Sequence, residues 1–305
     1  MHIFVHICPI VDGTLEPYSE DICLEIHIYS FIGVHFMFPV YNGDRCIISA
    51  RYFCGNRAKT APSCVPGDTD IFWTDAGARC AFFKETGVTG LNKYQHIIWD
   101  WNGTLINDVQ LCLEILNQLL HEQGLEAVAL GDYRQHFQFP VIRYYEFLGF
   151  DVDQGGFEKA SRYFLQAYEN RRTECELYSG VRPALHCLDE AGIGQSILSA
   201  YHHTKLLPMI DHYGIGQHFQ HILGVESTHA SGKLKQGRTL VNQLQLPPDA
   251  LLLIGDTLHD YEVARDIGCD CLLVSHGHNA HEKLAQCSAP VIQRFSEIIP
   301  WLQSV

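Results

Sequence analysis

His96-Ile97-Ile98-Trp99-Asp100-Trp101-Asn102-Gly103-Thr104-Leu105 is a β-type run that delivers an aspartate into a turn. At the carboxyl end of a parallel strand such a carboxylate stands in the crevice where open α/β sheets bind their ligands. Gly103 allows the sharp bend that follows, and Thr104 adds a hydroxyl. Taken alone, the stretch is equally a strand followed by a turn, so its reading depends on what surrounds it.

Downstream, QSILSA at 195–200, HILGV at 221–225, ALLLIGD at 250–256 and CDCLLVS at 269–275 are further β-rich runs separated by helical stretches. That alternation predicts a parallel sheet with helices on both faces, an α/β doubly wound architecture. Between Asn107 and Leu177 the strand rhythm stops. DVQLCLEILNQLLHEQG carries apolar residues at helical spacing up to Gly124, and FEKASRYFLQAYENRRTE resumes the pattern, with turns at Phe139-Pro140 and Gly155-Gly156. The expected division is a core of 94–106 and 178–305, an inserted helical cap at 107–177 and an N-terminal segment at 1–93.

That N-terminal segment follows no sustained period of 2 or 3.6. Cys8, Cys23, Cys46, Cys54, Cys64 and Cys80 are scattered through it among aromatic and apolar residues, and no fold is assigned to it. Two expectations stand side by side: an accessory domain, or an upstream extension created by too early a start codon. Lys84-Glu85 would be encoded by AA(A/G)GA(A/G), which can spell a ribosome-binding site, with Val88 or Leu91 as a GTG or TTG start.

A second apolar strand also ends in acid: Leu251-Leu252-Leu253-Ile254-Gly255-Asp256-Thr257-Leu258-His259-Asp260. Two strands that each end in aspartate can gather carboxylates around a hard, oxygen-seeking cation, for which Mg²⁺ is the natural choice. In isolation Gly255-Asp256-Thr257 is a loop with a helix cap; the pair of motifs in one sheet argues against that. Between them, Ser199 at the end of its strand can offer a hydroxyl to a phosphoryl oxygen and Lys233 can neutralise charge there, while Thr104 in the first motif could offer its hydroxyl to a phosphate or to the backbone. Separately, a strand-end Ser is usually a turn residue and a Lys near a helix a solvated one.

Asp100-x-Asn102-Gly103-Thr104, Ser199, Lys233 and Gly255-Asp256-x-x-x-Asp260 together resemble the four successive motifs of the haloacid dehalogenase superfamily, and most closely its phosphoglycolate-phosphatase-like branch. The resemblance runs from about Tyr94 to the end. It implies a Rossmann-like core and an Mg²⁺-dependent phosphatase of small phosphorylated metabolites. By that resemblance Asp100 attacks phosphorus to form an aspartyl phosphate that water hydrolyses. Mg²⁺ is held by Asp100, the Asn102 carbonyl and Asp256, with Asp260 as a further metal-side carboxylate or as the group orienting Lys233, and Ser199, Lys233 and Thr104 serve the phosphate.

Asn102 departs from the pattern. Phosphatases of the superfamily usually carry a second aspartate there as acid and base, and an amide can be neither; such a loss typically costs about 10² to 10⁴ in rate. Either another residue substitutes, with His259 or His202-His203 as candidates, or the enzyme prefers good leaving groups. A phosphate-binding regulatory protein with impaired turnover is the alternative from another class, and transfer of the phosphoryl group to an acceptor alcohol a third.

His276, His278 and His281 are spaced so that they could converge on zinc, or else simply make a histidine-rich loop. Arg143 and His136 in the cap are candidates for a second anionic group of the substrate. No G-x-x-x-x-G-K-[ST] or G-x-G-x-x-G motif occurs. The chain has 305 residues and a formal charge of −14, which disfavours nucleic acid and anionic membrane as partners. Twelve cysteines lie at irregular spacings without a C-x-x-C pair, so they are read as reduced thiols. With no apolar run near the roughly 20 residues of a spanning helix and no basic leader, the expected location is cytoplasmic. Oligomeric state is not legible.

Overall fold

The computed structural model describes residues 93–153, 155–226 and 231–305 and, ahead of them, the backbone of five short strands. The chain divides into two units, Met1–Phe72 and Trp73–Val305. In the first, β1 (His6–Ile7), β2 (Leu24–Tyr29) and β3 (His35–Val40) form an antiparallel sheet in which Leu24 faces Val40 and Tyr29 faces His35. There β4 (Tyr52–Phe53) pairs with β5 (Ala58–Lys59), also antiparallel. The start-codon expectation at Lys84–Leu91 lies outside the described residues.

The second unit begins with β6 (His96–Trp99) and β7 (Ile106–Asn107). Four helices follow: α1 (Val109–Glu122), α2 (Leu130–His136), α3 (Val141–Phe147) and α4 (Gly156–Arg171). β8 (Glu176–Leu177) returns antiparallel to β7, so that one short ribbon carries both strands of the connection. The chain then alternates through α5 (Val181–Glu190), β9 (Gly194–His202), α6 (His203–His212), β10 (His221–Val225) and α7 (Ser231–Leu244). It ends with β11 (Leu251–Gly255), α8 (Leu258–Ile267), β12 (Asp270–Val274), α9 (His281–Leu284), β13 (Val291–Ile292) and α10 (Ile298–Ser304).

The six core strands lie parallel in the order β10-β9-β6-β11-β12-β13. Counted along this unit, that is the 3-2-1-4-5-6 order of a doubly wound fold, whose crevice opens between the first and fourth strands. Those strands are β6 and β11, the two that end in aspartate. Successive side chains alternate between faces. Ile97, Trp99, Ile197, Leu252, Ile254 and Leu272 join one buried cluster with Leu185, Leu188, Met209 and Ile298 of α5, α6 and α10. Ile98, Leu198, Leu251, Leu253 and Leu273 join the other with Leu240, Val263, Ala264 and Leu284 of α7, α8 and α9. The doubly wound α/β expectation is therefore met, with strands apolar on both faces because both are covered.

α1 is buried on two sides. Leu111, Cys112 and Ile115 belong to the first core cluster, while Val109, Leu113, Leu116 and Leu120 pack with Tyr133, Tyr144, Tyr145 and Ala160 in a third cluster within the helical insertion. The helix thus ties insertion and sheet together. It stops where the sequence places its end, with Gly124 at φ 71° in the left-handed region that glycine enters most readily. No helix among the described residues is long and apolar enough to cross a membrane.

Candidate active site

β6 and β11 are in register with Trp99 beside Ile254, and the amide of Asp100 donates to the Ile254 carbonyl at 2.9 Å. Asp100 and Asp256 therefore leave the sheet side by side. α7 sends Lys233 into the same space: its Nζ lies 2.5 Å from Asp100 Oδ1 and 2.5 Å from Asp260 Oδ1. Asp260 is fixed by a reciprocal cap at the start of α8. Its Oδ2 accepts from the Thr257 amide at 2.9 Å and hydroxyl at 2.6 Å, and from the Asp256 amide at 3.2 Å.

Carboxylate oxygens of Asp100, Asp256 and Asp260 come within 4.8 Å of one another, all buried. One ammonium cannot balance three carboxylates. Burial, with Asp260 and Asp256 beside it, holds Asp100 well above the usual carboxylate range despite Lys233, and burial pushes Asp256 up to about 6 against the pull of His278. Lys233 is itself raised, because the two aspartates outweigh the desolvation that opposes its charge. A buried, oxygen-only donor set with excess negative charge fits a hard divalent cation.

Ser199 is 1% exposed. Its Oγ accepts from the Tyr201 amide at 3.0 Å, which leaves its own proton free to donate. The Thr104 hydroxyl donates to Asp256 Oδ1 at 2.9 Å, so it holds one of the three carboxylates. Gly103 has φ 73°, and a Cβ there would meet Asp256 Oδ2 at 2.3 Å. The loop after the strand must be this tight for Thr104 to reach across.

Sequence reasoning missed a second centre behind the loop. Asp108 occupies the N-cap position of α1 without capping it. Instead its carboxylate accepts from Asn102 Nδ2 at 2.6 Å, the Gly103 amide at 2.9 Å and the Tyr168 hydroxyl at 2.8 Å, and it pairs with His278 Nε2 at 3.3 Å. Asn102 Nδ2 also reaches the Tyr168 oxygen at 2.8 Å, and His278 Nδ1 lies 2.8 Å from the Tyr133 hydroxyl. Burial alone would raise Asp108, but His278, Asn102 and Tyr168 hold it below the usual range. An acidic residue ahead of a helix reads as a cap, and nothing in the sequence shows α4 bringing Tyr168 over it.

The other histidines sit apart from this network. His259 is buried against Phe139, with its ring centroid 4.9 Å away and Nδ1 3.2 Å from Glu262. His202 bonds Thr204 and the Glu226 carbonyl, and His203 accepts from the Gly224 amide. His276 touches the Thr104 carbonyl at 3.4 Å, and burial lowers it to about 4. Among the described residues, His278 gathers with Asp108 and Cys112, not with His276 and His281. In the insertion, His136 stacks on Phe147 and bonds the Asp132 carbonyl, while Arg143 pairs with Glu146; both are exposed.

A parallel α/β sheet with a helical insertion after its first strand thus carries a lysine-bound carboxylate cluster at its switch point. Residues 97–274 match the family model described as haloacid dehalogenase-like hydrolase, and the chain belongs to that family. A curated relative, the phosphoglycolate phosphatase of Pseudomonas syringae pv. tomato, is 24% identical over 213 residues, covering 67% of this chain and 78% of its own length. Among solved structures, a haloacid dehalogenase-like family hydrolase from Streptococcus pneumoniae aligns with TM-score 0.57 at 20% identity, over 68% of this chain and 98% of its own. Protein Tyrosine Kinase A of Mycobacterium tuberculosis aligns with TM-score 0.59 at 22% identity, over 69% and 99%.

Proposed function

We propose that this protein is an Mg²⁺-dependent phosphatase of small phosphate monoesters, working through an aspartyl phosphate on Asp100. The observation that carries the reading is the placement of Asp100 at the end of β6, with Lys233 2.5 Å from one oxygen and the carboxylates of Asp256 and Asp260 around it. Residues 94–106 and 178–305 form the catalytic core, and 107–177 the cap that closes over it.

Asp100 offers an oxygen to phosphorus, and Lys233, held by Asp260, meets the negative charge of the phosphoryl oxygens. Ser199 donates its free proton to another of these oxygens. Asp100, Asp256 and the Asn102 carbonyl, with Asp260 beside them, are the groups that would hold Mg²⁺. The ion, when bound, supplies the positive charge that lets an anionic nucleophile approach an anionic substrate. The relatives named as phosphoglycolate phosphatases put phosphoglycolate on the list of substrates to try.

The test is phosphate release by the full chain from a panel of phosphate esters with and without Mg²⁺, beside Asp100→Asn. Mg²⁺-dependent release that disappears in the variant is the expected result. A folded wild type that binds phosphate but releases no more than the variant would instead favour the regulatory reading that Asn102 raises.

A further inference from the structure

Asn102 is the one residue from Asp100 to Ile106 that keeps partial exposure; its six companions are buried. Its amide nitrogen is committed to Asp108 and Tyr168. A carboxylate accepting from the Gly103 amide and the Tyr168 hydroxyl as well has no proton to return, so the amide must present its NH₂ group to Asp108. Its oxygen, on the other side of Cγ, is left as an acceptor. An acceptor can orient a water, as the glutamine of small GTPases does, but it cannot protonate a departing oxygen.

Three of the proton-bearing neighbours are also committed. The Tyr168 hydroxyl donates to Asp108, His278 bonds Asp108 and Tyr133, and Lys233 is shared by two aspartates. His259 lies against Phe139 with its Nδ1 3.2 Å from Glu262, while its Nε2 is buried without a hydrogen-bond partner.

Resting on the phosphatase reading above, we propose that this site acts on activated phosphates, meaning acyl phosphates, aryl phosphates and phosphoanhydrides whose oxygen departs as a stable anion, in preference to alkyl phosphates. In the first half-reaction an Asp100 oxygen bonds to phosphorus, the bond to the leaving oxygen breaks, and that oxygen keeps the electron pair without receiving a proton. In the second, a water held by Asn102 Oδ1 bonds to phosphorus and the Asp100–phosphorus bond breaks. Asp100 regains its carboxylate, and both water protons end on dihydrogen phosphate. No general acid is needed at either stage. Alkyl phosphates, phosphoglycolate included, are then slow substrates.

The experiment measures kcat/KM of the full chain with Mg²⁺ for acetyl phosphate, for aryl phosphates of graded phenol acidity and for glycerol phosphate and phosphoglycolate, with Asp100→Asn as blank. The expected result is a steep rise as the leaving group becomes more acidic, with the activated compounds at least about 10²-fold ahead of the alkyl ones, the lower end of what a missing acid removes. Asn102→Ala keeps that steep dependence but slows the water step, so the phenol appears in a burst matching the enzyme concentration. Asn102→Asp, where it folds beside Asp108, speeds the alkyl substrates and flattens the dependence. A flat dependence in the wild type with turnover that still needs Asp100 overturns the leaving-group proposal alone. No Asp100-dependent release from any compound overturns the phosphatase reading with it.

Discussion

Two clusters of buried charge stand on either side of the loop 101–107, and they are built on opposite principles. Asp100, Asp256, Asp260 and Lys233 gather three carboxylates around one ammonium, and two of the carboxylates are pushed above their ordinary range. Asp108 and His278 form one pair, wrapped by Asn102, Gly103, Tyr168 and Tyr133, with the carboxyl held low and the imidazole raised because Asp108 outweighs its burial. The first centre is short of positive charge, which the Mg²⁺ of the proposed function would supply. The second is already satisfied, and it serves by holding the loop. Buried carboxylates shifted by an uncompensated charge are the usual mark of a functional site.

The hardest test of that contrast is to remove one carboxylate from each centre. Asp100→Asn should abolish turnover, by about 10⁴-fold or more, while leaving the fold intact, since it relieves crowding among like charges; phosphate release and a denaturant midpoint read the two effects. Asp108→Ala should do the reverse to stability. It leaves a buried imidazole and several donors without their acceptor, at a cost of about 3–5 kcal/mol, measured by urea unfolding. Equal stability losses in the two variants would erase the distinction.

Next in size comes the loop itself. Gly103→Ala places a Cβ 2.3 Å from Asp256 Oδ2 at φ 73°, so it should cost about 1–3 kcal/mol in strain and weaken Mg²⁺ binding as Asp256 is displaced. Calorimetric titration with Mg²⁺ checks this. Normal affinity would show that Asp256 does not depend on the loop for its place.

How much of this was legible follows the same division. The five long core strands announce themselves because strands buried on both faces read as unbroken apolar runs, and Ile97, Ile98, Leu252 and Leu253 are such residues. The unbalanced centre was legible too: acidic side chains that end apolar strands have no structural reason to be there. β7, β8 and β13, of two residues each, are too short to show a period, and α2 and α3 are single short helices between turn residues. The balanced centre was invisible because Asp108 passes for a cap and His278 for a loop residue. Only the approach of α4, which carries Tyr168 to within 2.8 Å of Asp108, reveals what they do. Thr104 stands beside the turn where its hydroxyl suits more than one acceptor, and its bond to Asp256 could not be read from the sequence.

A pH titration sharpens the comparison further, with a smaller effect. Asp256 titrates near 6 in the fold, above its ordinary value of 3.8, so the folded state holds a proton that the unfolded state releases first. The stability linked to it is fully present below pH 3.8 and is lost as pH rises through about 6; Asp100 shifts in the same direction. Without divalent cation the unfolding free energy should fall across that interval by on the order of 1–3 kcal/mol, and Mg²⁺ at neutral pH should restore it. Asp256→Asn should lose the part of the fall that Asp256 contributes and most of the rescue.

The smallest effect is expected at the surface, where charge is arranged well but matters little. Arg238 on α7 reaches Asp266 on α8 through two bonds, Nε at 2.7 Å and Nη2 at 2.5 Å, and these are the helices whose first turns carry Lys233 and Asp260. If fastening the two helices were what holds the site, Arg238→Ala would loosen Lys233 and lower activity. The Arg238 side chain is 65% exposed, however, so water and salt screen the pair, while α7 and α8 are already joined through Leu240, Val263 and Ala264. The unfolding midpoint and kcat/KM of Arg238→Ala should therefore match the wild type. A loss of activity there would move the support of the active site from its buried contacts to its surface.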